Sequence, residues 1–153
     1  MAHLIAITGG IGSGKSVISS ILRVCGYKVY DCDINAKLLM DNSNDIKREI
    51  SVRIDNSVIT SQGDINRKLL SSIVFGNQSK LNILNKIVHG AVRTDIIKWR
   101  DANADNPYLF IETAILYQSG LDIIVDEVWE VTAPEKIRVD RVMKRNNFNR
   151  EQV

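Results

Sequence analysis

The stretch Gly9-Gly10-Ile11-Gly12-Ser13-Gly14-Lys15-Ser16-Val17 contains a complete phosphate-binding loop, with the pattern Gly-x-x-x-x-Gly-Lys-Ser running from Gly9 to Ser16. Its glycines let consecutive backbone N–H groups curve around a phosphate, and Lys15 adds a mobile positive charge. Ser16 offers a hydroxyl to Mg²⁺, and a helix that begins here points the positive end of its dipole at the anion. The loop therefore predicts a site for the phosphates of a nucleoside triphosphate.

The residues on either side of the loop support this interpretation. His3 to Thr8 is an apolar run typical of a buried strand, and Val17 to Val24 has the apolar spacing of a helix. A glycine-rich turn that occurred by chance would not need a strand before it and a helix after it. Strand, loop and helix in this order favour a functional phosphate site.

Composition limits the class of protein. The 153 residues are 44% hydrophobic and 25% charged, which is typical of one globular domain with a real core. A net charge of +2 and the lack of any basic run argue against broad nucleic-acid binding. No apolar stretch is long enough to span a membrane, and no signal peptide fits before the first strand, so we expect a cytoplasmic protein. Cys25 and Cys32 are expected to be buried thiols, neither disulfide-bonded nor metal-bound.

The remaining pattern predicts a doubly wound α/β fold with parallel strands. Further strands are expected at Tyr27–Tyr30, Tyr108–Glu112 and Glu127–Val131. Between the second and third strands the spacing is almost continuously helical, with Ile46, Ile50 and Ile54 on one face. We therefore predict a single domain, residues 1–153, with a core at 1–33 and 105–140. A helical insertion is expected at about 34–104, and a mobile lid from about 141.

Two aspartates follow the second strand. In an open parallel sheet, ligands gather at the carboxyl ends of the strands, so Asp31 and Asp33 are expected near the phosphate loop. If this segment is extended, both carboxylates face the site and Cys32 faces inward. Asp33 is a candidate to take the proton of an acceptor hydroxyl in phosphoryl transfer. The alternative is that Asp33 only caps the helix that starts at Ile34.

A basic segment follows the last predicted strand, and it contains Arg138, Arg141, Lys144 and Arg145. Kinases with a phosphate loop often close a lid that brings an arginine to the transferred phosphate. We assign that role to Arg141 and Arg145. Arg138 is interpreted as part of a solvated helix face.

Together these motifs resemble the dephospho-CoA kinase family. The resemblance begins with Thr8–Ser16 and Asp31-Cys32-Asp33. It continues through three further segments: Gly63–Leu70, Leu84–His89 and Arg141–Arg145. It implies a P-loop kinase fold with a helical acceptor-binding insertion and a lid, and ATP-dependent phosphorylation of the 3′-hydroxyl of dephospho-CoA, the last step of coenzyme A synthesis.

The resemblance also implies roles for individual residues. Asp33, Lys15 and Arg145 would be catalytic, and Asp31, Arg67 and His89 would lie on the acceptor side. Mg²⁺ would be bound by Ser16. Apart from the resemblance, Glu112 at the end of a buried apolar strand is a candidate to act on Mg²⁺ through water, and the alternative is a helix-capping or surface acid. ATP would be held by Gly10, Ile11, Gly12, Ser13, Gly14, Lys15, Ser16, Val17 and Arg141.

The chain departs from the family pattern in several places. Gly90 follows His89 where the family usually has proline, and Gln118 stands where the family has an acid. The chain also ends at Val153 as a further helix begins, whereas the family extends some tens of residues further, so we expect the functional polypeptide to be longer. The oligomeric state is not predicted.

Three alternatives remain open at this point. The first is a kinase for another small hydroxyl acceptor, such as a nucleoside, nucleotide or sugar acid. The second is a nucleotide-dependent switch, although the Asn-Lys-x-Asp motif of guanine-specific switches is absent from the sequence. The third is a non-catalytic nucleotide-binding remnant.

Overall fold

The structure is a computed structural model that describes residues 1–147 and 149–152, apart from the side chain of Arg150. The strands are β1 (His3–Thr8), β2 (Lys28–Asp31), β3 (Tyr108–Glu112) and β4 (Glu127–Glu130). The helices are α1 (Lys15–Val24), α2 (Cys32–Asn42), α3 (Asn44–Arg53), α4 (Arg67–Phe75), α5 (Gln78–Ala102) and α6 (Glu135–Asn146). The chain divides into two compact units, one of residues 32–99 and one of residues 1–31 together with the chain from residue 100 onward.

The unit of residues 1–31 and the chain from residue 100 onward, called the sheet unit here, is built on a parallel sheet with strand order β2-β3-β1-β4. β1 lies between β3 and β4, and Leu4 and Ile7 are fully buried because both faces of a central parallel strand are covered. Ile18 and Leu22 of α1 pack against the buried cluster of Ile5, Ile7 and Phe110. These features confirm the predicted α/β class with a parallel sheet.

The second unit, called the helical unit, has its own apolar core. Ile46, Ile50 and Ile54 of the α3 segment are buried together with Leu70 and Val74 of α4. Burial of the first three confirms the predicted helical face. Capping side chains fix where the helices begin: Ser43 accepts a hydrogen bond from the N–H of Ile46 in α3, and Asn66 accepts one from Leu69 in α4.

Two local expectations are wrong. The segment after β2 is not extended, because α2 begins at Cys32 and includes Asp33 in its first turn. The alternating-side argument for Asp31 and Asp33 therefore fails, although Cys32 is buried as expected. Cys25 is exposed rather than buried, since it is the residue that ends α1, beyond the helix's apolar contacts. In the part of the chain that the structure describes, no helix is long and apolar enough to cross a membrane.

Candidate functional site

The phosphate loop connects the end of β1 to the start of α1. Gly12 and Gly14 have φ angles of 74° and 103°, a left-handed conformation that favours glycine. Gly14 is the N-cap residue of α1, and no side chain makes a capping hydrogen bond to this helix. Because the first N–H groups of a helix lack intrahelical partners, the start of α1 presents open donors and a positive dipole end. This arrangement suits an anion.

A cavity of about 440 Å³ opens beside this loop. Its walls combine the loop and the first turn of α1 with the segments that follow β4. The lining residues are Gly12, Ser13, Gly14, Lys15, Ser16, Val17, Ile18, Val131, Arg141, Val142 and Arg145. The backbone donors, the lysine and two arginines therefore line a single cavity, as the sequence predicts for a triphosphate site.

The two arginines of the cavity come from α6. The guanidinium of Arg141 donates to the carbonyl oxygen of Gly12 at 3.1 Å, and Arg145 lies one turn further along the helix. Within residues 1–147 and 149–152, neither arginine has a carboxylate within ion-pair distance. Unpaired guanidinium groups on a cavity wall are well suited to bind phosphate oxygens.

The Lys15 ammonium lies over the beginning of the loop. It donates to the carbonyl oxygens of Gly9 at 2.7 Å and Gly10 at 3.2 Å. In phosphate loops this lysine reaches the β- and γ-phosphates. The ammonium therefore lies at the Gly9–Gly10 end of the loop.

Ser13 contributes a buried hydroxyl to the same loop. The residue is only 5% exposed, and its Oγ has no hydrogen-bond partner among the described atoms. An unsatisfied buried hydroxyl costs free energy unless a ligand or water supplies a partner. Ser13 therefore fits a loop that is completed by a bound phosphate.

An oxygen-rich group lies at the carboxyl edge of the sheet. The Ser16 hydroxyl donates to Oε1 of Glu112 at 3.1 Å, and Glu112 is 9% exposed. Asp31 pairs in register with Glu112 on the neighbouring strand, so both side chains lie on the same face of the sheet. Among the described residues no cluster of three His, Cys, Asp or Glu side chains could hold a metal ion by itself. A magnesium ion here would need ligands from phosphate and water as well, which is its usual preference.

Asp33 lies in the first turn of α2 and is exposed. Its carboxylate has no hydrogen bond or ion pair with any described residue. The helix already includes Cys32, so Asp33 is not the cap of a helix starting at Ile34. The N-cap alternative is therefore wrong, although a carboxylate in the first turn still stabilises the helix through its dipole.

The helical unit contains the other two predicted acceptor-side residues. The Arg67 guanidinium donates to Oδ1 of Asp41 at 2.7 Å and to the carbonyl oxygen of Lys37 at 3.1 Å. His89 is half-buried in α5, and burial lowers the pKa of its imidazole, with a smaller lowering from the nearby Arg93. His89 is thus held mostly neutral near pH 7.

The segment from β4 into α6 packs directly against the loop glycines. A Cβ on Gly9 would lie 2.3 Å from the carbonyl oxygen of Val131, and one on Gly10 would lie 2.9 Å from Nη1 of Arg138. A Cβ on Gly12 would lie 2.7 Å from the carbonyl oxygen of Arg138. These glycines thus leave room for this segment as well as for phosphate.

Arg138 is therefore not part of a solvated helix face. Its side chain is half-buried, and its Nε donates to the carbonyl oxygen of Ala133 at 3.0 Å. The three-residue spacing between Arg138 and Arg141 places both on neighbouring positions of one helix face. That spacing shows in the sequence that Arg138 shares the helix face of Arg141, but it does not determine whether this face contacts solvent or the loop.

Ile11 and Val17 of the loop region, and Gln118 outside it, make no polar side-chain contact among the described residues. Ile11 is 63% exposed and Val17 is 62% exposed, although Val17 contributes to the cavity wall. Gln118 lies in the turn between β3 and β4, where the described residues give it no hydrogen bond. Glu112 provides the carboxylate at the end of β3.

The chain is similar to known proteins over nearly all of its length. The family model described as dephospho-CoA kinase matches residues 3–153. A Bacillus licheniformis protein named dephospho-CoA kinase is 36% identical over 99% of this chain and 77% of its own length. A Porphyromonas gingivalis protein of the same name is 40% identical over 96% of this chain and 72% of its own. The chain thus spans about three quarters of these relatives.

Solved structures agree with the sequence matches. The Thermus thermophilus protein TT1252 superposes with a TM-score of 0.79 at 32% identity, covering 99% of this chain and 76% of that one. A dephospho-CoA kinase from Campylobacter jejuni gives a TM-score of 0.70 at 25% identity, covering 99% of this chain and 77% of that one. These likenesses bear out the P-loop kinase fold.

Proposed function

This chain belongs to the dephospho-CoA kinase family, and on that premise we propose that it transfers the terminal phosphate of ATP to the ribose 3′-hydroxyl of dephospho-CoA, the last step of coenzyme A synthesis. The observation that carries the proposal is the cavity beside the phosphate loop. Its walls bring the open end of α1, Lys15, Arg141 and Arg145 together around one space. Phosphoryl transfer depends mainly on such positioning and charge neutralisation.

On the donor side, the triphosphate of ATP would lie along the loop. The open N–H groups at the start of α1 and the unpaired Ser13 hydroxyl would donate to phosphate oxygens. Lys15 would exchange its contacts with the loop carbonyl oxygens for the β- and γ-phosphates. Arg141 and Arg145 would neutralise charge from the α6 side.

The oxygen groups at the sheet edge fit a magnesium ion brought with the nucleotide. Ser16 would supply a direct ligand, and the Glu112 carboxylate, which already accepts from the Ser16 hydroxyl, would act through water. Magnesium neutralises phosphate charge when it is bound. The scarcity of protein ligands is consistent with this ion, which keeps several waters and binds substrate phosphates.

On the acceptor side, Asp33 has the properties of a general base. Its carboxylate is exposed and has no competing partner in the described part of the chain. In the reaction the 3′-oxygen bonds to the γ-phosphorus as the bond to the bridging oxygen of ADP breaks. The hydroxyl proton passes to the Asp33 carboxylate. Arg67 and His89 are proposed to contact the acceptor from the helical unit.

The deciding experiment measures ADP release with ATP and Mg²⁺ in the presence of dephospho-CoA, adenosine or gluconate. We expect stimulation by dephospho-CoA alone, with conversion to coenzyme A confirmed by mass spectrometry. Preference for adenosine or gluconate would instead establish a kinase for another small acceptor. Binding of ATP without turnover of any acceptor would indicate a non-catalytic nucleotide-binding protein.

A further inference from the structure

Arg138 has unused donors at one end of the phosphate loop. Its Nε donates to the carbonyl oxygen of Ala133, which fixes the plane of the guanidinium. The two terminal amino groups make no hydrogen bond with any described residue. A guanidinium carries five N–H donors, so four of them remain open beside the loop.

The open donors lie close to the Gly9–Gly10 end of the loop. Nη1 of Arg138 would be 2.9 Å from a Cβ placed on Gly10, so the guanidinium stands directly against this residue. The Lys15 ammonium contacts the carbonyl oxygen of the same glycine at 3.2 Å. Two cationic groups, the Lys15 ammonium and the Arg138 guanidinium, therefore both lie beside Gly10. In phosphate loops the lysine binds the β- and γ-phosphates, so this is the end of the loop where we expect the terminal phosphate.

The charge of Arg138 is not neutralised within the described structure. No carboxylate of residues 1–147 or 149–152 forms an ion pair with it, although the side chain is half-buried. A partly buried cation without a partner costs free energy that a bound anion would recover. Gly10 has no side chain that would separate the guanidinium from the loop.

We propose that Arg138 is a further phosphate-binding residue, which contacts the terminal phosphate of the nucleotide through its free Nη donors. Arg141 and Arg145 would bind from the cavity wall, whereas Arg138 would bind from the Gly10 side of the loop. This inference shares one premise with the proposed function, namely that the phosphate loop binds ATP. The contact from Arg138 would strengthen the binding of ATP and not of ADP, because only ATP carries the γ-phosphate.

The test is the dissociation constant of ATP and of ADP, each measured by calorimetry with Arg138→Gln. We expect about tenfold weaker ATP binding with ADP affinity within about twofold, the size of one lost charge-assisted hydrogen bond. Arg138→Lys, which keeps the charge but loses the planar fork, should fall between the variant and the parent. The matched control is Lys136→Gln, which removes one positive charge from an exposed position of the same helix and should leave both constants unchanged.

Equal weakening of ATP and ADP would overturn the proposal, because it would show that Arg138 only supports the loop. Unchanged ATP affinity in Arg138→Gln would overturn it as well. If the parent protein binds ATP but does not convert dephospho-CoA, the proposed function fails while this inference stands. If the parent converts dephospho-CoA and Arg138→Gln binds ATP normally, only this inference fails. Thermal unfolding of each variant checks that it is folded.

Discussion

A substitution of Asp33 is expected to affect phosphoryl transfer without affecting the binding of ATP. Its carboxylate is exposed in the first turn of α2 and has no described partner. We therefore expect Asp33→Asn to reduce kcat by about 100-fold or more while ATP affinity stays within about twofold. Steady-state kinetics with dephospho-CoA and ATP calorimetry give the two numbers.

The control for this prediction is Asp122→Asn, an exposed aspartate in the turn between β3 and β4. It makes the same change of charge at a residue that does not line the cavity, and it should leave kcat unchanged. If Asp33→Asn lost ATP affinity and kept turnover, Asp33 would belong to the donor or metal side. The role of general base would then have to be assigned elsewhere.

His89 makes stability depend on pH. Burial lowers the pKa of its imidazole below the ordinary 6.5, so the unfolded chain binds more protons than the folded one as the pH falls through 6.5. Stability from this residue is therefore present above pH 6.5 and lost below it. We expect the melting temperature of the parent to fall more steeply between pH 7 and pH 5 than that of His89→Gln.

The other histidine provides the comparison. The side chain of His3 is 43% exposed, and it contacts Glu127 and the ring of Tyr108. His3→Gln should not change the part of the pH dependence of the melting temperature that His89 causes. Identical pH slopes for His89→Gln and the parent would show that the imidazole has the same pKa in the folded and unfolded chains.

At the scale of elements, the packing of α6 on the phosphate loop sets a steric limit. A methyl group at Gly12 would lie 2.7 Å from the Arg138 carbonyl oxygen, at a φ of 74°. Gly26 has a φ of 90° with nothing within 4 Å, so Gly26→Ala adds backbone strain alone, about 1–2 kcal/mol. We expect Gly12→Ala to destabilise the fold further and to weaken ATP binding at least about tenfold.

Urea unfolding and ATP calorimetry of the two alanine variants test this difference. Gly26→Ala should lose stability but keep its ATP affinity, since it lies beyond the end of α1. Equal behaviour of the two variants would mean that the backbone conformation alone, and not contact with α6, determines the requirement for glycine at position 12.

The elements also show what the sequence can predict. β1 and β3 lie where their apolar runs place them, because a buried parallel strand needs apolar side chains on both faces. The loop is identifiable because few other structures need its glycine spacing. The start of α2 at Cys32 was missed, since a strand and a helix that adjoin without a linker leave no turn residues to mark the boundary.

The site is less predictable than the fold, because its contacts join residues far apart in the chain. The hydrogen bond from Ser16 to Glu112 follows from strand order and register, which local patterns do not determine. The approach of Arg138 to Gly10 depends on how α6 leaves β4, and propensity contains no information about that direction. A cationic residue on a helix face has the same local pattern whether the face contacts solvent or a loop.

At the scale of the whole molecule, ligand binding should increase the free energy of unfolding. A ligand that binds only the folded state at 100 times its dissociation constant contributes about 2.7 kcal/mol. For a chain of this size, that corresponds to a rise in melting temperature of about 5–10 °C with ATP. Lys15→Ala should lose most of this rise, because the lysine of a phosphate loop binds the β- and γ-phosphates of the nucleotide. Lys98→Ala, at an exposed position of α5, should keep it. A full ATP-dependent shift in Lys15→Ala would place the nucleotide outside the phosphate loop and overturn the donor site itself.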